Sequence, residues 1–150
     1  MLRRKKYQMQ CIGENILYTR YFNEQEIDLI DMQEIIKDAV TLTGGKPFYS
    51  VVDLRDIFGN MSFEAQRFIA KHEEINKIKK EEFLLVNNLP VKILVQGYLS
   101  LQKPGVKTRA FRKIDALLAE LKAKEIAPYA INQVAKFLQN KPKQEKNGVL

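Results

Sequence analysis

The chain has 150 residues, of which 45% are hydrophobic and 29% are charged, and its net charge is +7. This length and balance predict one globular domain and exclude a mainly disordered or membrane-embedded chain. Cys11 is the single cysteine, which excludes an intrachain disulfide and a multi-cysteine zinc site and favours a reducing compartment. No long apolar run follows the basic residues 1–6, so we expect a cytoplasmic protein that is not integral to a membrane.

The excess positive charge lies at the two ends of the chain. Residues 1–6 supply +4 and residues 136–150 supply +3, so residues 7–135 carry no net charge. A nucleic-acid-binding surface needs basic residues clustered on the fold itself. The sequence therefore disfavours nucleic acid as a partner and keeps an accessory nucleic-acid binder, acting through its basic tails, as an alternative function.

The pattern at the start of the chain predicts a hairpin followed by a helix. Residues 7–12 alternate between apolar and polar side chains, and residues 16–22 are rich in β-branched and aromatic side chains, as in strands. Asp28 is a suitable N-cap for the next helix, and Gly44 is suited to the left-handed residue that ends it. Residues 48–54 are apolar on both faces, which predicts a strand at the centre of the sheet.

Helices and strands alternate through the rest of the chain. Ser62 is predicted to cap a second helix, with His72 on its inner face, and residues 77–82 to end that helix in solvent. The remaining spacings predict a strand at 83–86, a helix at 90–101, a strand at 108–111, a helix at 114–121 and a last helix near 129–139.

This order, ββαβαβαβα with an extra C-terminal helix, predicts an α/β fold with a mostly parallel or mixed sheet. We divide the chain into a basic N-terminal tail, an α/β domain, an additional helix and a disordered tail, with bounds of 1–6, 7–124, 125–140 and 141–150.

The element order and two sequence runs carry a family resemblance. The runs are KPFYSVVDLRDIFGNMSFEAQRF (46–68) and KILVQGYLSLQKPGVKTRAF (92–111). With them the chain resembles, over roughly residues 7–121, the bacterial STAS-like domains, which share a fold with anti-sigma-factor antagonists and are grouped with Sec14-like lipid-binding domains. The resemblance implies a small, non-enzymatic regulatory or binding domain.

In the antagonists of that fold, a strand that ends in Asp-Leu leads to an Asp-Ser-Ser-Gly stretch in which a helix-capping serine is phosphorylated. Asp53 matches the strand end and Ser62 falls at the first serine, whereas Phe63 replaces the second serine. Ser62 is also explained as a structural N-cap. The resemblance implies a regulatory or partner-binding surface that comprises Asp53, Asp56, Ser62 and Phe63.

Other groups that could carry chemistry each have a structural explanation. Asp53 and Asp56 could bind a cation near the carboxyl end of the central strand, but turn formation explains them equally and a third ligand is missing. His72 has no catalytic partner at a recognisable spacing. Lys103, Lys107 and Arg109 could contact an anion or simply form a solvated basic loop. We therefore assign no catalytic residue, no metal and no cofactor.

The charge of the body is uneven, which bears on its partners. Residues 7–82 carry a net charge of −5 and residues 83–135 a net charge of +5, so two copies could attract each other. We expect a non-catalytic binding or regulatory domain that acts through another protein, a second copy, or a lipid or other small apolar or anionic ligand in a pocket between helices and sheet. An unrecognised enzyme remains the third class.

Overall fold

The computed structural model describes residues 1–22, 26–55, 57 and 60–140. It contains a six-stranded mixed sheet in which the strands follow one another in chain order. The strands are β1 (Leu2–Arg3), β2 (Tyr7–Ile12), β3 (Ile16–Tyr21), β4 (Phe48–Asp53), β5 (Lys79–Leu85) and β6 (Thr108–Phe111). The helices are α1 (Leu29–Thr43), α2 (Phe63–Lys71), α3 (Glu73–Ile78), α4 (Leu89–Gly97), α5 (Ile114–Lys122) and α6 (Pro128–Gln139), and a π-helical turn, Tyr98–Gln102, extends α4.

The predicted architecture is confirmed. The first three strands are antiparallel and the last three are added in parallel, each after a helical connection. All six residues of β4 are buried, because strands flank it on both sides and helices cover both of its faces. The extra C-terminal helix is α6.

The helices form one layer on each face of the sheet. On one face, α5 and α6 bury a core in which Leu117 and Leu138 contact the strand residues Val51 and Phe83. On the other face, a core that includes Met32 of α1 is formed with α2, and a smaller core is formed with α4. Successive side chains of β4 point to opposite faces of the sheet, so they pack alternately against the two helical layers.

Local capping explains where the predicted helices begin and end. Asp28 accepts from the backbone N–H of Asp31 at 2.9 Å, while the Asp31 carboxylate accepts from the backbone N–H of Asp28, which completes a capping box. Gly44 follows α1 with a φ of 65°, the left-handed conformation that glycine adopts without strain. Ser62 Oγ accepts from Ala65 N–H at 3.1 Å. These predictions are confirmed.

The expectation of one long second helix is wrong. The backbone leaves the helical conformation at His72, which ends α2 and begins α3. The His72 Nδ1 atom accepts from the backbone N–H of Ile75 at 3.2 Å, so the side chain caps a new helix where an inner-face residue was predicted. The imidazole also lies against the ring of Phe68, with 5.1 Å between the ring centroids.

The expectation that residues 77–82 end this helix in solvent is also wrong. Lys79 to Glu82 form the first half of β5, where β4 pairs with them on one side. Hydrogen bonds to neighbouring strands outweigh the low strand propensity of lysine and glutamate, because propensity is a weak preference that the tertiary context overrides.

The N-terminal segment, for which a basic tail was predicted, contacts the domain through β1 and two side chains. Lys6 Nζ lies 2.6 Å from Asp31 Oδ2, and the Arg4 guanidinium forms a two-pronged pair with Asp38. The predicted C-terminal tail, 141–150, lies outside the described residues. In the described part of the chain, every helix is too short or too polar to cross a bilayer.

Candidate functional site

A cavity of about 130 Å³ lies between the sheet and the layer formed by α1, α2 and α4. Its walls are mainly aliphatic and aromatic: Leu17, Leu84 and Phe48 come from the strands, and Ile35 and Val95 come from helices. The exposed residue Asn60 also lies on its lining, so the cavity reaches the surface beside the segment that leads into α2. An interior void of this size is unusual, because protein cores are close-packed.

A polar cluster interrupts the apolar wall at the middle of the sheet. Ser50 of β4 lies directly opposite Glu82 of β5, and its hydroxyl donates to Glu82 Oε2 at 2.9 Å. Lys79 Nζ donates to the same oxygen at 3.1 Å. The Lys79 and Glu82 side chains are only 6% and 12% exposed, so this is a buried ion pair. They are the two charged residues among those described on the lining.

Two tyrosines from different elements add phenolic hydroxyl groups to the lining. Tyr21 is the last residue of β3, and Tyr98 is the first residue of the π-helical turn. Burial, and then the charge of Glu82, raise the pKa of both phenols above the ordinary value. Both hydroxyls therefore stay protonated and able to donate. Neither makes a hydrogen bond with another described residue.

Ordinary α-helical spacing brings Tyr98 to the cavity, because it shares one face of the helix with Val91 and Val95, which also lie on the lining. The π-helical turn begins at Tyr98 and redirects the residues that follow it. A π turn inserts one residue into a helix and rotates the side chains that follow it, and such turns are frequent at functional sites. The turn ends at Lys103, which has a φ of 46°. Tyr98 therefore lines the cavity from the helical layer, and Glu82 lines it from the sheet.

The structure places the predicted residue Asp53 away from this cavity. Its carboxylate lies in a fork of the Arg55 guanidinium, with distances of 3.0 and 2.9 Å, and accepts from the Tyr18 hydroxyl at 3.2 Å. Tyr18 belongs to the core beneath α5 and α6, on the other face of the sheet. Both oxygens of the Asp53 carboxylate are therefore bonded to side chains of the fold itself. Asp56, its predicted companion, lies outside the described residues.

Ser62 and Phe63 lie at the start of α2, next in sequence to Met61 on the cavity lining. The Ser62 hydroxyl is occupied as the N-cap, and its backbone N–H donates to the carbonyl of Ile27 at 2.9 Å. Phe63 is 59% exposed, which is unusual for a phenylalanine. The structure places these two residues at the start of α2, directly after Met61 of the lining, and their regulatory or partner-binding role stays a prediction.

The predicted anion contacts are divided between the two sides of the sheet. The carbonyl of Lys103 faces Lys71 of α2, whereas the Arg109 guanidinium pairs with Glu120 of α5. This guanidinium holds the pKa of Glu120 below its usual range, and Lys107 acts in the same direction from farther away. The three residues do not form one pocket, so an anion bound to Arg109 would compete with Glu120.

Sequence reasoning missed the polar cluster of the cavity. A serine in the otherwise apolar strand FYSVVD was the one local signal. The charged run KIKKEE resembles a solvated helix end, and only the pairing of β5 with β4 brings Glu82 to Ser50. Helical spacing puts Tyr98 on the same face as Val91 and Val95, but it carries no information on the polar neighbours of Tyr98. Among the described residues, no group of three or more His, Cys, Asp or Glu side chains could hold a metal ion.

Comparisons with known proteins place the fold but not the ligand. Residues 10–123 match the sequence model of a domain of unknown function, DUF7793. No curated protein matches the chain. The crystal structure of an uncharacterised DUF3478-family protein with a SpoIIAA-like fold, from Shewanella loihica PV-4, is similar with a TM-score of 0.52 and 12% identity. The similarity covers 81% of this chain and 98% of that one. It confirms the predicted STAS-like fold.

Proposed function

We propose a function from the geometry of the cavity for this chain, which belongs to the DUF7793 family of unknown function. The proposed function is that of a non-catalytic, STAS-like regulatory domain that binds a small, largely apolar molecule between its sheet and helices. The observation that carries the proposal is the apolar cavity with a buried polar cluster at the sheet.

The size and cost of the cavity support a ligand. A void of about 130 Å³ is close to the engineered cavities of roughly 150 Å³ that bind benzene. Because the cavity opens at the surface, its apolar lining lacks both the packing contacts of a core and the free energy gained by removing apolar surface from water. A ligand that fills it restores the missing contacts, so binding couples directly to the stability of the domain.

The bonding of the polar groups supports binding over catalysis. Ser50 and Lys79 both donate to Oε2 of Glu82, which leaves Oε1 as an acceptor for a ligand. Catalysis by this carboxylate would also need groups that stabilise a developing charge, and the one cation on the described lining, Lys79, is already paired with Glu82. The lining supplies hydrogen-bond donors and acceptors for recognition, mainly from the two tyrosines.

Native mass spectrometry of the full chain tests the proposal, with gently purified protein compared with the denatured protein. Val95→Phe fills the cavity from α4, and Gln96→Phe places the same ring on the exposed side of that helix. We expect a retained ligand mass in the wild type and in Gln96→Phe, and its loss in Val95→Phe. Equal retention in all three folded proteins would refute binding in this cavity.

Three exposed apolar side chains favour protein binding as a second function. Ile30, Phe63 and Leu89 lie in the first turns of α1, α2 and α4 and are 74%, 59% and 66% exposed. The helices follow β3, β4 and β5, so their first turns share the carboxyl edge of the parallel strands. Exposed apolar groups at one edge are typical of an interaction surface.

The partner that the charge pattern favours is a second copy of the chain. Sedimentation velocity at high protein concentration and low salt should show a dimer that Phe63→Ser weakens. Leu101→Ser serves as the control, because Leu101 is even more exposed than Phe63 but lies in the π-helical turn. A wild-type protein that stays monomeric throughout would argue against self-association.

A further inference from the structure

We infer that the cavity selects a compact, net-neutral molecule with an apolar body and one hydroxyl group, which Glu82 and the two tyrosines recognise. This inference rests on the proposed ligand-binding function and specifies the chemistry of the ligand. Its basis is the balance of charge and of unused hydrogen-bonding atoms at the cavity wall.

The charge balance excludes a charged ligand. Lys79 and Glu82 neutralise each other at 3.1 Å, and the rest of the described lining is uncharged. A carboxylate placed here would add a second negative charge beside Glu82 without a free cation to match it. A buried charge without a partner is strongly unfavourable, and an ammonium group would meet the corresponding difficulty beside Lys79.

The unused hydrogen-bonding atoms match a hydroxyl group. Glu82 Oε2 accepts from both Ser50 and Lys79, while Oε1 accepts no hydrogen bond within the described part of the chain. The Tyr21 and Tyr98 hydroxyls are donors that also lack a described partner. An alcohol can donate to Glu82 and accept from a tyrosine at once, which a carboxylate cannot do because it has no proton to donate.

The volume limits the apolar body to about the size of one substituted benzene ring, as judged from cavities that hold benzene. Four probes of matched shape then separate the possible head groups: benzyl alcohol, toluene, benzoate and benzylammonium. Their binding to the full chain at neutral pH can be followed by the shifts of backbone amide signals in NMR titrations.

We expect benzyl alcohol to bind at least about threefold more tightly than toluene and more tightly than either charged probe, as one net hydrogen bond supplies about three- to tenfold in affinity. Tyr98→Phe should remove that advantage and leave toluene binding unchanged. Tyr129→Phe, at an exposed position on α6, should change neither. Melting curves of both variants establish that they fold.

The other outcomes separate this inference from the proposed function. Equal binding of toluene and benzyl alcohol would overturn recognition of the hydroxyl group while leaving an apolar binding cavity. Tightest binding by benzoate would overturn it in favour of Lys79 as the head-group contact. Binding of none of the probes, or shifts confined to residues remote from the cavity, would contradict both the inference and ligand binding by this cavity.

Discussion

Asp38 is the buried acidic residue through which the N-terminal segment is attached to α1. Its carboxylate accepts from Arg4 at 3.0 and 2.9 Å and from the Tyr7 hydroxyl. The hydrogen bond from Arg4, aided by the one from Tyr7, holds the pKa of Asp38 below its usual range. The ionised form is therefore bound more strongly in the folded state than in the unfolded state.

A depressed carboxylate pKa stabilises the fold at any pH above the unfolded value of about 3.9, and this contribution is lost as the pH falls through the folded pKa. We expect the free energy of unfolding to fall as the pH drops below about 4, and Asp38→Asn to flatten that dependence. Urea unfolding from pH 2 to 6 measures it. Asp115→Asn, at an exposed position, is the control, and an equal effect of the two variants would contradict this role for Asp38.

The buried Lys79–Glu82 ion pair leads to a second prediction, which concerns the free energy of unfolding of single and double variants. Lys79→Met leaves the Glu82 carboxylate buried without its cation, which should cost about 3 kcal/mol of unfolding free energy. The double variant Lys79→Met, Glu82→Gln should recover much of this loss, because both charges are then removed. Chemical denaturation of the two single variants and the double variant gives the coupling energy. Simple additivity would show that the pair is not coupled.

Helix-capping residues and the polar residues of the cavity differ in how far they can be predicted from the sequence. Asp28, Gly44 and Ser62 were predicted correctly because a cap is formed with residues only a few positions away. The polar part of the candidate site depends on Ser50 meeting Glu82, which are 32 residues apart and joined only by strand pairing. Local patterns carry no information on that pairing.

At the scale of elements, the junction at His72 divides what appeared to be a single helix. The apolar spacing continues from α2 into α3, so periodicity alone cannot locate the break. At this break the Ile75 N–H has no backbone carbonyl four residues earlier to bond to, and the side chain of His72 accepts its hydrogen bond instead. The same competition between a local pattern and tertiary pairing explains why the start of β5 was missed.

Substitutions of His72 test whether its side chain stabilises the domain as the N-cap of α3. His72→Ala removes the acceptor and should lower the unfolding free energy by about 1 kcal/mol, whereas His72→Asn, which offers a side-chain oxygen, should retain most of it. Urea denaturation of the two variants provides the comparison. If alanine and asparagine have equal effects, the ring contact with Phe68 and not the cap is the stabilising feature.

At the scale of the whole molecule, the order of strands and helices was predictable because each element has its own period and boundary residues. A pocket between helices and sheet was expected in general terms, but its position and its lining were not, because they depend on how α1, α2 and α4 pack on strands that are distant in sequence. The last helix, α6, lies beyond the family match at 10–123 but buries Val134 and Leu138 completely. It therefore belongs to the core of the domain.

Truncation after Ala127 should accordingly abolish cooperative unfolding, because one face of the sheet then keeps α5 but loses the buried side chains of α6. Truncation after Asn140, which removes the proposed tail, should leave the transition unchanged. Circular dichroism during heating distinguishes them. A cooperative transition in the shorter chain would mean that α5 alone suffices to cover that face.

The agreement between strand order and chain order has a consequence for how the molecule assembles. Every strand from β2 onwards is hydrogen-bonded to the strand made just before it, so no strand has to wait for a later one to be inserted between existing neighbours. Each parallel pairing closes only the helical connection between two consecutive strands and no longer loop, which limits the entropy that each step costs. The sheet can therefore grow from one edge as the chain is synthesised, and the cavity wall is completed only when β5 and α4 have emerged.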